Sequence, residues 1–531
     1  MFINMKYKIV ITFLIMGVGI SSIYGASLEN ATKLYEQGFF KQAEMEAVTL
    51  VEASPQNMEY RKLLARIYIS QGRFEDAKNS SLSVLLYEPA DLEFNLILAR
   101  IHSWTMEYDK SIDYYDRCFA LAPEDIVCQI EKARVLDWAG RQKDSLAEYE
   151  NVYKKFDQKW IYYEMLGKKA LWNHRIEEAI ENFELSLDDN EDNEEVLMYL
   201  GQLYSYSTMY DEAVPYYEKV GKVSPYNVSA LESSEKNQIR RDDFHLRLGV
   251  MRWQADSDDR ETRVSNLTPY ASLSKYVAKN LMLTITGSRG FYYYTVTPDV
   301  KETGLSARAD YQKGFYYGFG AEYQFLDFDK GDSHHNYSAY AWGRLLDRFI
   351  LSASYMQENV ISNYQNVVSG LQTKSARVRA EYDANKTFLF GADYTFGSYT
   401  DNNDFGILGA DVQVTFTQSP RSLYTIFRVE DWDYRRVSVN YFSPGSYTEY
   451  SGLIGFKHDI AKNGFYYGAK EIYYDIQFRF GLNSNAETSY SPRFMFHVDF
   501  SPHIYIEGFA SLYESVFYSD HTIGALIGFY F

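Results

Sequence analysis

Residues 314–328 read GFYYGFGAEYQFLDF, and every second position shares a character. Phe315, Tyr317, Phe319, Ala321, Tyr323 and Phe325 fall on one side, and Tyr316, Gly318, Gly320, Glu322 and Gln324 on the other. Successive side chains of a strand point to opposite faces. The stretch therefore predicts a strand with lipid against its aromatic face and water against its small, polar face. The pattern returns at Phe388, Phe390, Ala392, Tyr394 and Phe396, and again at Ile523, Ala525, Ile527, Phe529 and Phe531.

Outward from these, sixteen alternating segments follow Asp242, at about 243–256, 263–277, 281–296, 303–313, 314–328, 335–346, 349–360, 371–383, 387–399, 404–417, 421–434, 449–461, 464–480, 487–500, 503–518 and 521–531. Tight links follow the even-numbered segments: Ala278 to Asn280, Gln312-Lys313, Asp347-Arg348, Ala384 to Lys386, Gln418 to Pro420, Lys462-Asn463 and Ser501 to His503. Longer ones follow odd-numbered segments, as at Ile361 to Gly370 and Arg435 to Thr448. Short turns on one rim and longer loops on the other mark a bacterial outer-membrane barrel with its short turns toward the periplasm. Tyr311, Phe315, Phe349, Tyr382, Phe388, Phe465 and Phe500, beside the short turns, are expected to form the interfacial girdle there. Pro269 lies inside the second segment, so a bulge or a shorter strand is expected at that point.

Upstream, the period changes. Gly38, Gly72, Met106, Gly140, His174 and Thr208 are spaced by 34 residues without insertion or deletion. Five residues after each marker stand the small residues Ala43, Ala77, Ser111, Ser145, Ala179 and Ala213, where paired helices must approach closely. Two residues after the markers come Phe40, Phe74, Tyr108, Gln142, Ile176 and Tyr210. Pro55, Pro89, Pro123 and Pro225 close four units, with Asp157 and Glu191 in the other two. This pattern resembles the tetratricopeptide repeat over about residues 27–236, departing from it at Gln142, Asp157 and Glu191. The fold class expected is a two-domain α + β chain: six repeats forming an α-solenoid over 27–236, then a 16-stranded antiparallel transmembrane β-barrel over 242–531. The first strand rises from the solenoid, which puts the tight turns on the solenoid's side.

Composition agrees. The chain has 531 residues, of which 17% are aromatic and 50 are Tyr, and a mean hydropathy of -0.37. No apolar run long enough for a helical span follows the N-terminus. Residues 1–25 read as a signal peptide: Lys6 and Lys8, the apolar stretch Ile9 to Ile20, then Ile23-Tyr24-Gly25 or Ala26 as a small-residue cleavage site. The net charge is -19, and residues 1–240 hold 26 Lys and Arg against 39 Asp and Glu, which excludes nucleic acid as a partner. Such acidity serves solubility, or a groove for a basic partner or polymer. Cys118 and Cys128 flank the turn from the third repeat into the fourth; they can pair in an oxidising compartment or remain buried thiols. His102 and His174 show no metal-ligand spacing, and His334-His335 lies in a loop without a partner. With no HExxH, GxSxG or P-loop motif, no catalytic residue, metal or cofactor is expected.

Alternation also assigns a lumen. Inward positions include Arg247, Arg308, Arg344, Arg377, Arg379, Arg428, Lys457, Arg479 and Arg493, facing Asp310, Glu322, Glu381, Asp383, Asp393, Asp411, Glu430, Glu449, Asp459, Glu471, Asp475, Asp499 and Glu507. The lining is mixed and mildly acidic, suited to a neutral or weakly cationic hydrophilic solute. Tyr270, Tyr316, Tyr340, Trp342, Tyr424, Trp432, Tyr505 and Tyr513 also point inward, as an aromatic track compatible with pyranose rings or as space-filling side chains.

Repeats followed by a barrel in one chain resemble the exopolysaccharide export porins, such as the poly-N-acetylglucosamine export porin and the C subunit of cellulose synthase. Tyr441-Phe442-Ser443-Pro444 is similar to a short aromatic-Ser/Asn-Pro signature of that group. The resemblance implies a conduit for a secreted polymer, in the outer membrane, with repeats that gather the polymer or a periplasmic protein partner. A terminal Phe531 resembles the signal read by the barrel-insertion machinery, and implies that partner too. Surface lipoprotein assembly modulators and YaiO-type outer-membrane proteins also join helical repeats to a barrel, which keeps a protein client or a scaffold role as alternatives.

Overall fold

Six residues with no common chemistry share one backbone conformation. Gly38 (φ 79°), Gly72 (φ 68°), Met106 (φ 61°), Gly140 (φ 75°), His174 (φ 58°) and Thr208 (φ 59°) are all left-handed, and each sits in the turn inside a helix pair. A left-handed residue ends the first helix and turns the chain into the second. The pairs are α1 Leu28–Glu36 with α2 Phe40–Ala53, α3 Met58–Ser70 with α4 Phe74–Tyr87, α5 Leu92–Trp104 with α6 Tyr108–Leu121, and α7 Ile126–Trp138 with α8 Gln142–Phe156. They continue with α9 Lys159–Trp172 and α10 Ile176–Asp189, then α11 Glu194–Tyr206 and α12 Tyr210–Val223; a single helix α13, Val228–Asp242, follows. The computed structural model describes residues 26–257, 263–361, 363–438, 441–461, 469–516 and 518–531. The expected signal peptide at 1–25 lies outside the described residues.

Ala43, Ala77, Ala179 and Ala213 are fully buried, because the paired helix leaves no room beyond a methyl group. Where serine replaces alanine, its hydroxyl is satisfied: Ser111 Oγ donates to Ala99 O at 2.7 Å and Ser145 Oγ to Ala133 O at 2.8 Å. Side chains of Asn57, Asp91 and Asp125, again 34 residues apart, accept the free N–H groups at the starts of α3, α5 and α7. Pro55, Pro89, Pro123 and Pro225 stand just past the ends of α2, α4, α6 and α12. Asp157, where proline is missing, takes a left-handed φ of 51° instead.

Two compact units divide the chain: residues up to Gln158 with Pro225–Val228, and Lys159–Ser224 with Ser229–Phe531. The first unit holds a half-buried ionic knot. Arg100 of α5 forks onto Glu131 of α7 at 2.8 and 2.5 Å, and Tyr115 of α6 donates to the same carboxylate at 2.8 Å. Cys118 and Cys128 are both buried and unbonded, so the pairing considered from their spacing is not formed.

In the second unit sixteen strands close into one antiparallel barrel. They are β1 His245–Ser257, β2 Arg263–Ala278, β3 Leu281–Tyr294, β4 Val300–Lys313, β5 Tyr317–Phe328, β6 His334–Leu345, β7 Phe349–Asn359, β8 Gln372–Asp383, β9 Phe388–Tyr399, β10 Asp404–Thr417, β11 Arg421–Tyr434, β12 Ser446–Asp459, β13 Ile472–Asn483, β14 Thr488–Ser501, β15 Ile504–Glu514 and β16 Tyr518–Tyr530. A short helix, α14 Tyr364–Ser369, lies in the β7–β8 link. β1 pairs with β16 along its whole length, which leaves no sheet edge. Phe319, Phe390, Tyr394, Phe396 and Ile523 are exposed, as a lipid-facing surface requires, and among the described residues no helix is long and apolar enough to cross a membrane.

Several expectations need correction. Phe315 does not face lipid: β5 begins at Tyr317, and Phe315 turns from the β4–β5 link into a helical core with Ile180, Phe183, Leu200 and Leu203. The tight turn expected at Lys462-Asn463 is a longer link between Asp459 and Ile472, and Lys462, Asn463 and Phe465 lie outside the described residues. Pro269 causes neither a bulge nor a short strand. It pairs in register with Val250 of β1, while the ladder to β3 skips from Leu267 to Tyr270. Pro492 does the same in β14, pairing with Phe478 where the ladder to β15 is interrupted. His334 and His335 open β6 rather than lying in a loop; His334 is buried, edge-on to Phe328, and His335 Nδ1 meets Tyr323 Oη at 2.8 Å.

Two outcomes are expected. Ala77→Leu overfills the α3–α4 contact and lowers stability by about 1–3 kcal/mol in denaturant unfolding followed by helix circular dichroism. Burial works against the Glu131 charge, but the Arg100 guanidinium more than offsets it and holds the carboxyl below its usual range. A folded pKa below the unfolded one stabilises above the unfolded value of about 4.3, and that contribution is lost as pH falls through the folded value. Glu131→Gln is therefore less stable than wild type at neutral pH, with the gap closing on acidification in thermal melts.

Candidate functional site: the inner wall of the barrel

Side chains on strands two apart converge on the concave side of a cylinder and diverge on the convex side. Contacts of that kind identify the inner wall. Arg379 of β8 reaches Asp411 of β10 at 2.8 Å, and Arg428 of β11 reaches Asp393 of β9 at 3.0 Å. Tyr340 of β6 donates to Asp310 of β4 at 2.7 Å, Gln477 of β13 to Tyr424 of β11 at 2.9 Å, and His245 of β1 meets Tyr505 of β15 at 2.9 Å.

Many of the charges on this wall are paired. Arg377, Arg379 and Arg428 all contact Asp393; Arg379 and Arg428 share Asp411; Glu381 and Glu430 take further bonds at 2.8 and 2.9 Å. A carboxylate as buried as Asp393 persists only with such partners. Arg308 turns to Asp310 at 2.8 Å rather than to Glu322, its neighbour in the register. Arg479 pairs with Glu449 at 3.0 Å, and Lys457 with Asp459 at 3.4 Å. Asp475 accepts from Gln477 at 2.9 Å through one oxygen, and its other oxygen has no protein partner.

The aromatic positions share a device. The rings of Tyr270, Tyr340, Trp342, Tyr424 and Tyr505 lie across Gly249, Gly320, Gly318, Gly455 and Gly528 of neighbouring strands; a Cβ at Gly455 would overlap the Tyr424 ring. Glycine lets these rings lie flat on the wall instead of projecting into the bore. Arg308 also stacks over Tyr340, its guanidinium 5.6 Å from the ring centre. Tyr316 stands apart from them, in the β4–β5 link with its ring 4.3 Å from Phe315 and packed against the helical core. Tyr513 lines a small recess near the longer-loop rim with Tyr447, Glu449 and Asn483.

Two of the longer links fold back over this wall. In the β7–β8 link, Val367 of α14 packs on Tyr292, Val300, Leu326 and Phe328. In the β11–β12 link, Tyr441 stacks on Tyr399 at 3.8 Å and bonds to Asp401 and Asn403, while Phe442 sits 5.9 Å from Trp432. The Tyr441-Phe442-Ser443-Pro444 stretch is thus part of an aromatic cluster ahead of β12.

At the opposite rim the structure adds residues that sequence reasoning missed. Lys236 of α13 is buried, with Nζ 2.8 Å from both Glu471 and Asp499, and Arg240 joins Glu471 at 3.1 Å. Burial opposes the charge of Glu471, but Lys236 and Arg240 outweigh it and hold the carboxyl below its usual range. His497 bridges Asp499 and Glu507 at 2.9 and 3.0 Å. The signal available was the spacing of Lys236 and Arg240, one turn apart on a helix beyond the last full repeat. Phe531 pairs backbone to backbone with Phe244, with ring centres 6.1 Å apart.

No family model matches the chain, and no curated protein is similar to it in sequence. Among solved structures it is similar to a bacterial polysaccharide outer membrane secretin, at 11% identity and a TM-score of 0.43, over 54% of this chain and 98% of that one. It is also similar to a tetratricopeptide repeat protein from Parabacteroides merdae, at 16% identity and a TM-score of 0.33, over 39% and 81% of the two chains. MamA matches at 22% identity and a TM-score of 0.28, over 30% of this chain and 94% of its own. The architecture, a helical-repeat region followed by a closed sixteen-strand barrel, stands on the structure itself.

Arg428→Ala leaves Asp393 and Asp411 one cation short. The expected outcomes are a lower temperature for the loss of the folded barrel's shifted electrophoretic mobility, and a reversal potential displaced toward cation selectivity in a salt gradient.

Proposed function

We propose that this protein is an outer-membrane conduit for a hydrophilic polymer, with an exopolysaccharide as the best-fitting cargo. Its helices would lie in the periplasm, on the side of the tight turns, and gather the polymer or its protein partners. One observation carries the reading: a closed sixteen-strand cylinder has an inner wall on which ion pairs such as Arg379–Asp411 and Arg428–Asp393 alternate with tyrosine rings laid over glycines. Such a wall offers hydrogen bonds and apolar ring faces to a passing chain, which suits neutral or weakly cationic sugars. Strand count supports it, since sixteen strands enclose an aqueous channel.

A second reading has its own support. Leu86 and Tyr87 of α4 and Phe119 and Leu121 of α6 are exposed large apolar side chains, which favour a protein client on the repeats. Planar-bilayer recording separates the two. The expected result is an ion current through the purified protein that added oligosaccharide blocks reversibly; a current that no oligosaccharide blocks would favour the protein-client reading.

A further inference from the structure

The sixth repeat departs from the others at one position. In steps of 34, the residue after each closing proline or its substitute is Gln56, Ala90, Glu124, Gln158 and Asp192 in the first five units, all exposed, and Tyr226 in the sixth. A large aromatic body thus stands where every other unit shows water a small or polar side chain. Tyr226 is half-buried instead, and the stretch Pro225–Val228 belongs to the first compact unit although the helices before and after it belong to the second.

Within the first unit Tyr226 lies on Trp104, the last residue of α5, with ring centres 5.3 Å apart and planes tilted by 39°. Trp104 also meets Phe74, the first residue of α4, at 5.1 Å, and both are only 5% exposed. Arg100, one turn earlier on α5, is held by its fork onto Glu131. The floor under Tyr226 is therefore fixed, whereas its cover is a single side chain. Asn227 is fully buried and holds the backbone, so Tyr226 leaves Trp104 by turning about its own χ1, a step between staggered rotamers. An aromatic pair shifts an equilibrium by a factor of only about 2–10, which makes such a cover reversible.

We infer that Trp104 and Phe74 form a docking site for an aromatic side chain of a protein partner, carried on an extended segment resembling Pro225-Tyr226-Asn227, and that Tyr226 is the chain's own occupant, covering the site until the partner's ring replaces it. The seated segment shows what the site accepts: a flat ring beside a proline. Arg100 is neutralised by Glu131, so an uncharged aromatic segment is favoured over an acidic one. A tethered occupant competes at the high effective concentration its tether sets, and a partner's apparent affinity falls in proportion to the fraction of time the site stands open. The inference concerns the repeats and goes beyond the conduit reading; it stands whatever the barrel carries.

The test uses the full-length protein in detergent micelles, with a fluorescent peptide of the chain's own sequence, KVSPYNVSAL (residues 222–231), as the probe and anisotropy as the readout. Tyr226→Ala uncovers the site and binds the peptide about fivefold more tightly than wild type, whereas Tyr226→Phe, which keeps a ring, binds like wild type. A peptide with alanine in place of its tyrosine binds neither protein. Trp104→Leu added to Tyr226→Ala keeps the core filled and removes the gain. With a benzophenone in place of the peptide's tyrosine ring, photocrosslinking to Tyr226→Ala maps to α5 or the start of α4 by mass spectrometry, which locates the site without the Trp104 variant. Equal binding by wild type and Tyr226→Ala, binding to neither, binding that survives loss of the peptide's tyrosine, or a crosslink elsewhere would overturn the inference. None of these readouts uses an ion current, so the conduit reading and this one fail separately.

Discussion

A peptide group in hydrocarbon has no water to bond, so a strand in lipid must find partners on both sides along its length. The pairing of β1 with β16, from His245 opposite Tyr530 onward, meets that demand, and the rest of the molecule depends on it. An even number of antiparallel strands brings both ends of the barrel to one rim. The helices that precede His245 are therefore joined at the rim of the short turns.

The rim is a joint as well as a boundary. Fully burying a phenylalanine is worth about 1.5–3 kcal/mol, and Phe315 contributes its burial to a helical core rather than to lipid contact. Lys236 complements it with charge, because two carboxylates at the barrel base, Glu471 and Asp499, would repel each other without a cation between them. Helices α9–α13 consequently belong with the barrel, although by repeat pattern α9–α12 continue the helical array.

Much of this was legible because both periodicities are strict. Alternation located the sixteen strands, most with ends displaced by a few residues although the thirteenth begins at Ile472 rather than at 464, and the 34-residue spacing marked the left-handed turns. The misreadings share a cause. Alternation in GFYYGFGAEYQFLDF runs on through Phe315 into a turn, and periodicity alone cannot separate an aromatic that meets lipid from one that meets a helix. Pro269 was read as a defect because the sequence does not reveal which neighbour lacks its N–H; in the barrel only the ladder to β3 is interrupted.

The linear order of residues by itself determined the two architectures, the number of strands, the faces of each strand and the helix pairs, since these follow from local backbone geometry repeated at periods of two and thirty-four. Only the tertiary structure decided which charges pair, which rings lie over glycines, and which turns the helices hold. Those outcomes join residues hundreds of positions apart, such as Lys236 with Asp499, and depend on distances that exist only once the cylinder has closed.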